Sequence, residues 1–170
     1  MAIYFYNMAL SSPRRKIFAN AQGFLRKRKK LLDAHKTLVF TNGCFDIIHR
    51  GHVEYLLSAR ELGDFLIIGL NTNNSIRRLK GDKRPINTLE DRAIVLAALS
   101  FVDAVIPFDE ATPLELIKLV KPDVLVKGAD YEIDEIVGAK EVLSWGGKVE
   151  RIQFLEGFST SDLLNKIKRL

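Results

Sequence analysis

Residues 38–56 read LVFTNGCFDIIHRGHVEYL, and the fold class turns on how this stretch divides. Leu38–Thr41 is a short, continuously apolar run of the kind that forms a buried strand. Val53, Leu56, Leu57 and Ala59 recur at helical spacing, and Gly63 follows them as a stop signal. Between strand and helix lies Thr41–His52, rich in groups that attract anions. His49 and His52 stand three apart, on one face of a helix's first turn. Backbone amides without an intrahelical partner point there, and two imidazoles can donate to the same anion. Gly51 carries no side chain to hold a polyphosphate off the backbone, and Gly43 permits a tight turn. This combination, after a strand and before a helix, favours a phosphate site over a chance grouping. Zinc is the weaker alternative, because no acid or thiol stands at helical spacing from both histidines. Cys44 invites a nucleophile reading, but no feature of the sequence lowers its pKa, and an inert thiol in a turn fits better.

Outward from this unit, β-rich runs alternate with helical patterns. Phe65–Leu70, Val102–Ile106, Asp123–Lys127 and Lys148–Phe154 read as further strands. Asn87 with Glu90, Thr112 with Pro113 and Glu115, and Ser159 with Asp162 read as helix starts. Such alternation implies an α/β fold: a doubly wound, Rossmann-like, five-stranded parallel sheet with right-handed crossovers and strand order 3-2-1-4-5. Ligands then bind outside the carboxyl ends of the strands, where the order reverses.

The loops at that end are informative. Arg77–Pro85 holds five basic residues in eight positions, Arg77, Arg78, Lys80, Lys83 and Arg84, which suits a mobile clamp on phosphates. Arg92 lies beside Glu90 and Asp91, where a surface ion pair is the ordinary outcome. Gly128 would let a flat base approach, and Tyr131 could pack on it or be simply half-buried. Ser159, Thr160 and Ser161 offer hydroxyls at a helix start, for which capping alone is sufficient reason.

Composition sets the frame. A chain of 170 residues, 47% hydrophobic and 28% charged, has enough apolar matter for one folded domain and excludes a disordered or collagen-like chain. No apolar run approaches the roughly 18 residues of a membrane span. The opening MAIYFYNMAL lacks the flanks of a secretory signal. One cysteine cannot form an internal disulfide, which fits a cytoplasmic protein. The net charge of +5 suggests a polyanionic partner, but its distribution is uneven. Residues 1–36 hold nine basic groups and one acid, a basic N-terminal arm expected to be partly helical. Residues 37–170 hold 17 basic and 20 acidic groups and form the domain proper. The arm reads as a solvated helix whose Phe24, Leu25, Leu31 and Leu32 touch the body, with a tether to RNA or anionic lipid as the alternative.

The stretch FTNGCFDIIHRGHVEYL resembles the signature of the HxGH nucleotidyltransferases, in the branch whose first motif reads G-x-F-D-x-x-H-x-G-H. LKGDKRPIN, the KGADY loop and EIVGAKEVLSWGGKVERIQFLEGFSTSDLLNKI extend the resemblance over about residues 37–168, closest to the heptose-1-phosphate adenylyltransferases. Asn73 stands where that branch usually has Asp, Ala129 for a Gly, and Phe158 for a smaller residue. Leu155 replaces an Arg typical of the glycerol-phosphate cytidylyltransferases, which counts against that branch.

What the resemblance implies is AMP transfer from ATP to D-glycero-β-D-manno-heptose 1-phosphate, giving ADP-heptose and pyrophosphate for lipopolysaccharide core synthesis. His49, His52 and Lys80 would be catalytic. Nucleotide contacts are implied for Asn42, Gly43, Cys44, Phe45 and Gly51, for Gly128, Asp130 and Tyr131, and for Ser159, Thr160 and Ser161. Acceptor contacts are implied for Asp46, Asn71, Lys80, Arg84 and Arg92. Mg²⁺ is implied as cofactor, held by phosphate and water rather than by protein ligands. A homodimer and a separate sugar kinase upstream are implied as partners, and no nucleic acid. Two other readings stand beside it: a cytidylyltransferase acting on glycerol 3-phosphate or a related alcohol phosphate, and a nucleic-acid-binding module using the arm.

Overall fold

The structure is a computed structural model that describes residues 12–130, 132–155 and 157–169, with only the backbone of residues 161, 162 and 165. Its centre is β1 (Leu38–Gly43), bonded in parallel to β2 (Phe65–Asn71) on one side and β4 (Val124–Gly128) on the other. β3 (Ala104–Phe108) and β5 (Lys148–Ile152) complete a five-stranded parallel sheet of order 3-2-1-4-5, as expected. β1 and β2 are hidden because helices cover both faces, which is why their sequences are continuous apolar runs. α2 (Arg50–Glu61) and α4 (Leu89–Ala98) pack on one face. α5 (Leu114–Val120) and α6 (Ala139–Ser144) pack on the other, beside α1 (Ala21–Asp33). α3 (Asn73–Lys80) follows β2, and α7 (Thr160–Ile167) closes the described chain.

Three aspartates seal the amino-terminal edge of the sheet. Asp64, Asp103 and Asp123 each stand just before a strand, and each carboxylate accepts from a backbone N–H of the neighbouring strand or the residue before it: Thr37 at 2.9 Å, Leu66 at 2.9 Å and Leu38 at 2.8 Å. Asp103 occupies the ladder's first position with its side chain, so β3 begins at Ala104 rather than at Val102.

Helix starts differ from expectation by one residue. Thr88, not Asn87, caps α4 and accepts from Asp91 N, because Asn87 is drawn to Asp46 by backbone and side chain. Thr72, not Asn73, caps α3. Thr112 gives α5 no side-chain cap, and Pro113 sits at the cap position. The Asp162 side chain lies outside the described residues. Half of the expected clamp loop is helical, since Arg77, Arg78 and Lys80 form the last turn of α3 before Gly81, at φ +85°, ends it.

The described part of the basic arm is fastened to the sheet. Ile17 bridges Val105, and Phe18 N donates to Val105 O at 2.9 Å. α1 buries Ala21 and Phe24, and the Phe24 ring meets Phe18 edge-on at 5.2 Å and Phe65 at 6.0 Å. Leu31 packs on the same core, whereas Leu25 and Leu32 are exposed. Arg28 donates to the carbonyls of Val120 and Lys121, the unsatisfied end of α5.

Candidate active site

β1 and β4 share ladder pairs only at Val39–Val124 and Phe40–Leu125. Beyond them the strands part, and a cleft of about 480 Å³ opens at the point where strand order reverses. The turn after β1 forms its floor. Phe45 takes a left-handed backbone conformation, φ +43°, and its ring is buried against His52 at 5.3 Å. That conformation is costly for a bulky residue, and the packing of Phe45 into the core holds it there. A side chain at Gly43 would press on the Phe45 ring at 3.0 Å, so the glycine serves the turn.

His49 occupies the cap position of α2 and stacks on His52 with ring centroids 3.8 Å apart. Gly51 makes that stack possible: a Cβ there would stand 3.0 Å from Phe158 and 3.1 Å from His49 Nδ1. Both Nδ1 atoms are buried and have no hydrogen-bond partner among the described residues. An unpaired acceptor costs less than an unpaired donor, which favours the proton on each Nε2, and His52 also bonds with the Ile47 backbone, which opposes the fall in its pKa. Burial holds the His49 pKa below its usual value. Burial, then the neighbouring His49 ring and the Lys80 charge, lowers that of His52 to about 4. Both rings are therefore neutral donors at pH 7. Burial pushes the Cys44 thiol up, against the effect of Lys80 and Arg92, as suits an unreactive turn residue.

The α3 side of the cleft is cationic. Lys80 and Arg84 line it, and Lys80 has no carboxylate partner among the described residues. Arg84 is paired with Asp46, whose buried carboxylate also accepts from Ile86 N at 2.8 Å and Asn87 N at 2.9 Å. Asp46 thus borders the cleft, but its charge is committed to holding the loop Arg84–Asn87 over the site. Arg78 is tied to Asp109, Arg77 to Asn74, and Lys83 is exposed outside the cleft lining, so of the five basic residues only Lys80 and Arg84 border the cleft.

Arg92 corrects a sequence expectation. It is 1% exposed, not a surface pair, and does not line the cleft. Its guanidinium donates to Cys44 O and Asn71 O, both at 2.8 Å, to Asn73 Oδ1 at 2.9 Å and to Asn87 O at 3.2 Å. It stitches together the loops after β1 and β2 and the start of α4. Asn71 is likewise buried and bonded to Ser75 Oγ at 3.0 Å, outside the cleft lining.

On the far side, Asn42, Gly128, Asp130 and Thr160 border the cleft. The flat group over Gly128 is Phe154: a Cβ at Gly128 would lie 2.1 Å from that ring. Phe154 in turn packs on Tyr55 at 5.0 Å. Ser159 accepts from Leu163 N through its carbonyl at the start of α7 and is absent from the cleft lining. Tyr131 and the Ser161 side chain lie outside the described residues.

Residues 40–166 match the model of the cytidylyltransferase-like family. The chain belongs to that family. The bifunctional protein HldE of Campylobacter fetus is 56% identical over 133 residues, 78% of this chain and 28% of that protein. The chain thus spans about a quarter of the length of such curated relatives. A lipopolysaccharide core biosynthesis protein from Thermoplasma volcanium superposes with TM-score 0.61 at 30% identity, over 71% of this chain and 99% of that one. The pantoate–β-alanine ligase of Francisella tularensis, 16% identical with TM-score 0.62 over 91% of this chain and 78% of that one, shares the fold. This cytidylyltransferase-like chain is a nucleotidyltransferase by family, and none of its described helices is long and apolar enough to cross a membrane.

In this family member the cleft holds residues that sequence reasoning passed over: Tyr55, Leu79, Lys127 and Phe154. Tyr55 is anchored by a buried 2.8 Å bond with Thr41 Oγ1. Lys127 could have been found, being the one charge in the otherwise apolar run VLVKG at a strand's carboxyl end. Phe154 and Leu79 carry no such signal, since exposed apolar residues are common on surfaces.

Proposed function

We propose that this chain transfers AMP from ATP to a sugar 1-phosphate, D-glycero-β-D-manno-heptose 1-phosphate, releasing pyrophosphate and supplying ADP-heptose to lipopolysaccharide core synthesis in the cytoplasm. The carrying observation is the neutral His52 ring near the start of α2, which stacks on His49 and lines a cleft whose other wall bears Lys80 and Arg84, while His49 itself is not among the lining residues. The 56% identity to a bifunctional HldE favours the heptose acceptor, and Leu155 in place of an arginine disfavours the glycerol-phosphate branch.

An oxygen of the acceptor phosphate attacks the α-phosphorus of ATP and forms a new P–O bond. The bond from that phosphorus to the β-bridging oxygen breaks, and pyrophosphate leaves with the electron pair. Such a transfer needs alignment and charge stabilisation rather than a protein nucleophile. His49 and His52 donate N–H groups to phosphate oxygens as negative charge grows on them, and Lys80 spans donor and acceptor phosphates. Mg²⁺ bound with ATP would supply further neutralisation of phosphate charge, and its ligands would be phosphate oxygens and water. The described residues offer no group of three or more His, Cys, Asp and Glu placed to cage an ion. The acceptor comes from a sugar kinase, and the working unit is a homodimer.

Pyrophosphate release over a panel of nucleotides and acceptors tests the reading. ATP with the heptose 1-phosphate is expected to give the highest kcat/KM. A preference for CTP with glycerol 3-phosphate would move the chain to the other branch of the family.

A further inference from the structure

At the parting of β1 and β4, two residues beyond the last ladder pair on each strand, Asn42 and Lys127 stand across the opening from each other. The Lys127 ammonium donates to Asn42 Oδ1. It borders the cleft, and it forms no ion pair with a carboxylate among the described residues, although Asp130 lies near enough to raise its pKa. Three apolar residues precede it on β4, all buried. An ammonium has three donor hydrogens, and one amide oxygen occupies only one of them.

A desolvated cation without an anionic partner is costly, and a methionine would fill the same space at no such cost. Burial lowers the Lys127 pKa to about 8, yet at pH 7 it stays mostly charged. The other cations of the cleft are arranged differently. Arg84 is neutralised by Asp46, and Lys80 approaches from α3, which follows β2 on the opposite side of β1. Two cations without carboxylate partners among the described residues thus flank β1 and share the cleft lining with His52, in a cleft that must take two phosphorylated substrates.

We propose that Lys127 is a phosphate ligand of this cleft, held in place by Asn42 and acting from the β4 side opposite Lys80. The proposal rests on the nucleotidyl-transfer reading above. The phosphate belongs either to the nucleotide or to the acceptor, and the two sources separate by experiment.

Lys127→Met and Lys127→Gln remove the charge while keeping most of the length. Each variant and the wild-type chain are compared in thermal unfolding alone, with Mg·ATP, and with heptose 1-phosphate, and in steady-state pyrophosphate release. Both variants are expected to unfold at or above the wild-type temperature without ligand. One ligand should lose most of its stabilising shift, and kcat/KM should fall about 10- to 100-fold, the scale of a lost charge-assisted hydrogen bond. A rise confined to the KM for ATP assigns the contact to the nucleotide, and a rise confined to the sugar phosphate assigns it to the acceptor. Variants that keep both ligand shifts and stay within twofold in kcat/KM overturn the proposal, as does a fall in unfolding temperature with unchanged ligand shifts, which makes Lys127 part of the fold only. A wild-type chain that neither responds to any nucleoside triphosphate nor releases pyrophosphate defeats the transfer reading itself.

Discussion

The stacking of His49 on His52 has two consequences that one experiment can separate. In the proposed transfer they donate N–H groups to charge that develops on phosphate, so His52→Ala is expected to lower turnover by about 10²–10³, the scale for one lost transition-state donor. Near-normal pyrophosphate release by that variant would remove His52 from the chemistry. The same burial that keeps the ring neutral also links it to stability. The folded pKa of His52 is about 4 and the unfolded value about 6.5, so between these limits the unfolded chain binds more protons. Stability therefore rises with pH from about 4 to 6.5 and is level above, with up to about 3 kcal/mol at stake. Unfolding temperatures measured from pH 4.5 to 7.5 should climb less steeply in His52→Ala than in the parent. Equal slopes would contradict the desolvation account. The histidine pair was legible in sequence because its spacing and setting carry the chemistry. The role of Arg92 was not, because nothing in LEDRAIVLAAL signals that a guanidinium turns inward to the backbone carbonyls of Cys44, Asn71 and Asn87.

Among the elements, α1 shows how a charged run can hide a structural residue. Within AQGFLRKRKKLLD the basic residues dominate, and only Ala21 and Phe24 are buried. Phe24 is fully enclosed, between Phe18 and Phe65, and belongs to the same core as β1 and β3. Phe24→Ala should cost about 3–5 kcal/mol, the range for truncating an enclosed aromatic. Urea unfolding would measure it, and a loss below about 1 kcal/mol would mean that α1 is not part of the core. The strands were legible because burial on both faces leaves a continuous apolar signature, and their order is that of the doubly wound class to which strand–helix alternation points. Helix starts slipped by a residue for a tertiary reason. Asn87 is a good cap in isolation, but Asp46 recruits it across 41 positions, and Thr88 caps in its place.

At the scale of the molecule, the net charge of +5 is a +8 arm on a −3 body, and basic residues gather on two surfaces. One is the outer face of α1, where Arg26, Lys29 and Lys30 are exposed and no ion pair with a carboxylate holds them among the described residues. The other is the cleft, lined by Lys80, Arg84 and Lys127 together with His52. Coulomb interactions between solvated charges fade over about 10 Å at ordinary ionic strength, so the helix charges contribute little to a ligand seated at the strand ends. Converting Arg26, Lys29 and Lys30 together to glutamine is therefore expected to leave kcat/KM for nucleotidyl transfer within about twofold, while lowering any salt-sensitive retention on a polyanion such as RNA. Lys80→Gln removes one charge instead of three, yet it should cost about 10- to 100-fold, because in the proposed transfer that charge meets phosphate in a partly dry cleft. If the triple variant lost transfer activity as severely as Lys80→Gln, the long-range field of α1 would have to be part of substrate capture, and the separation of the two basic surfaces would be wrong.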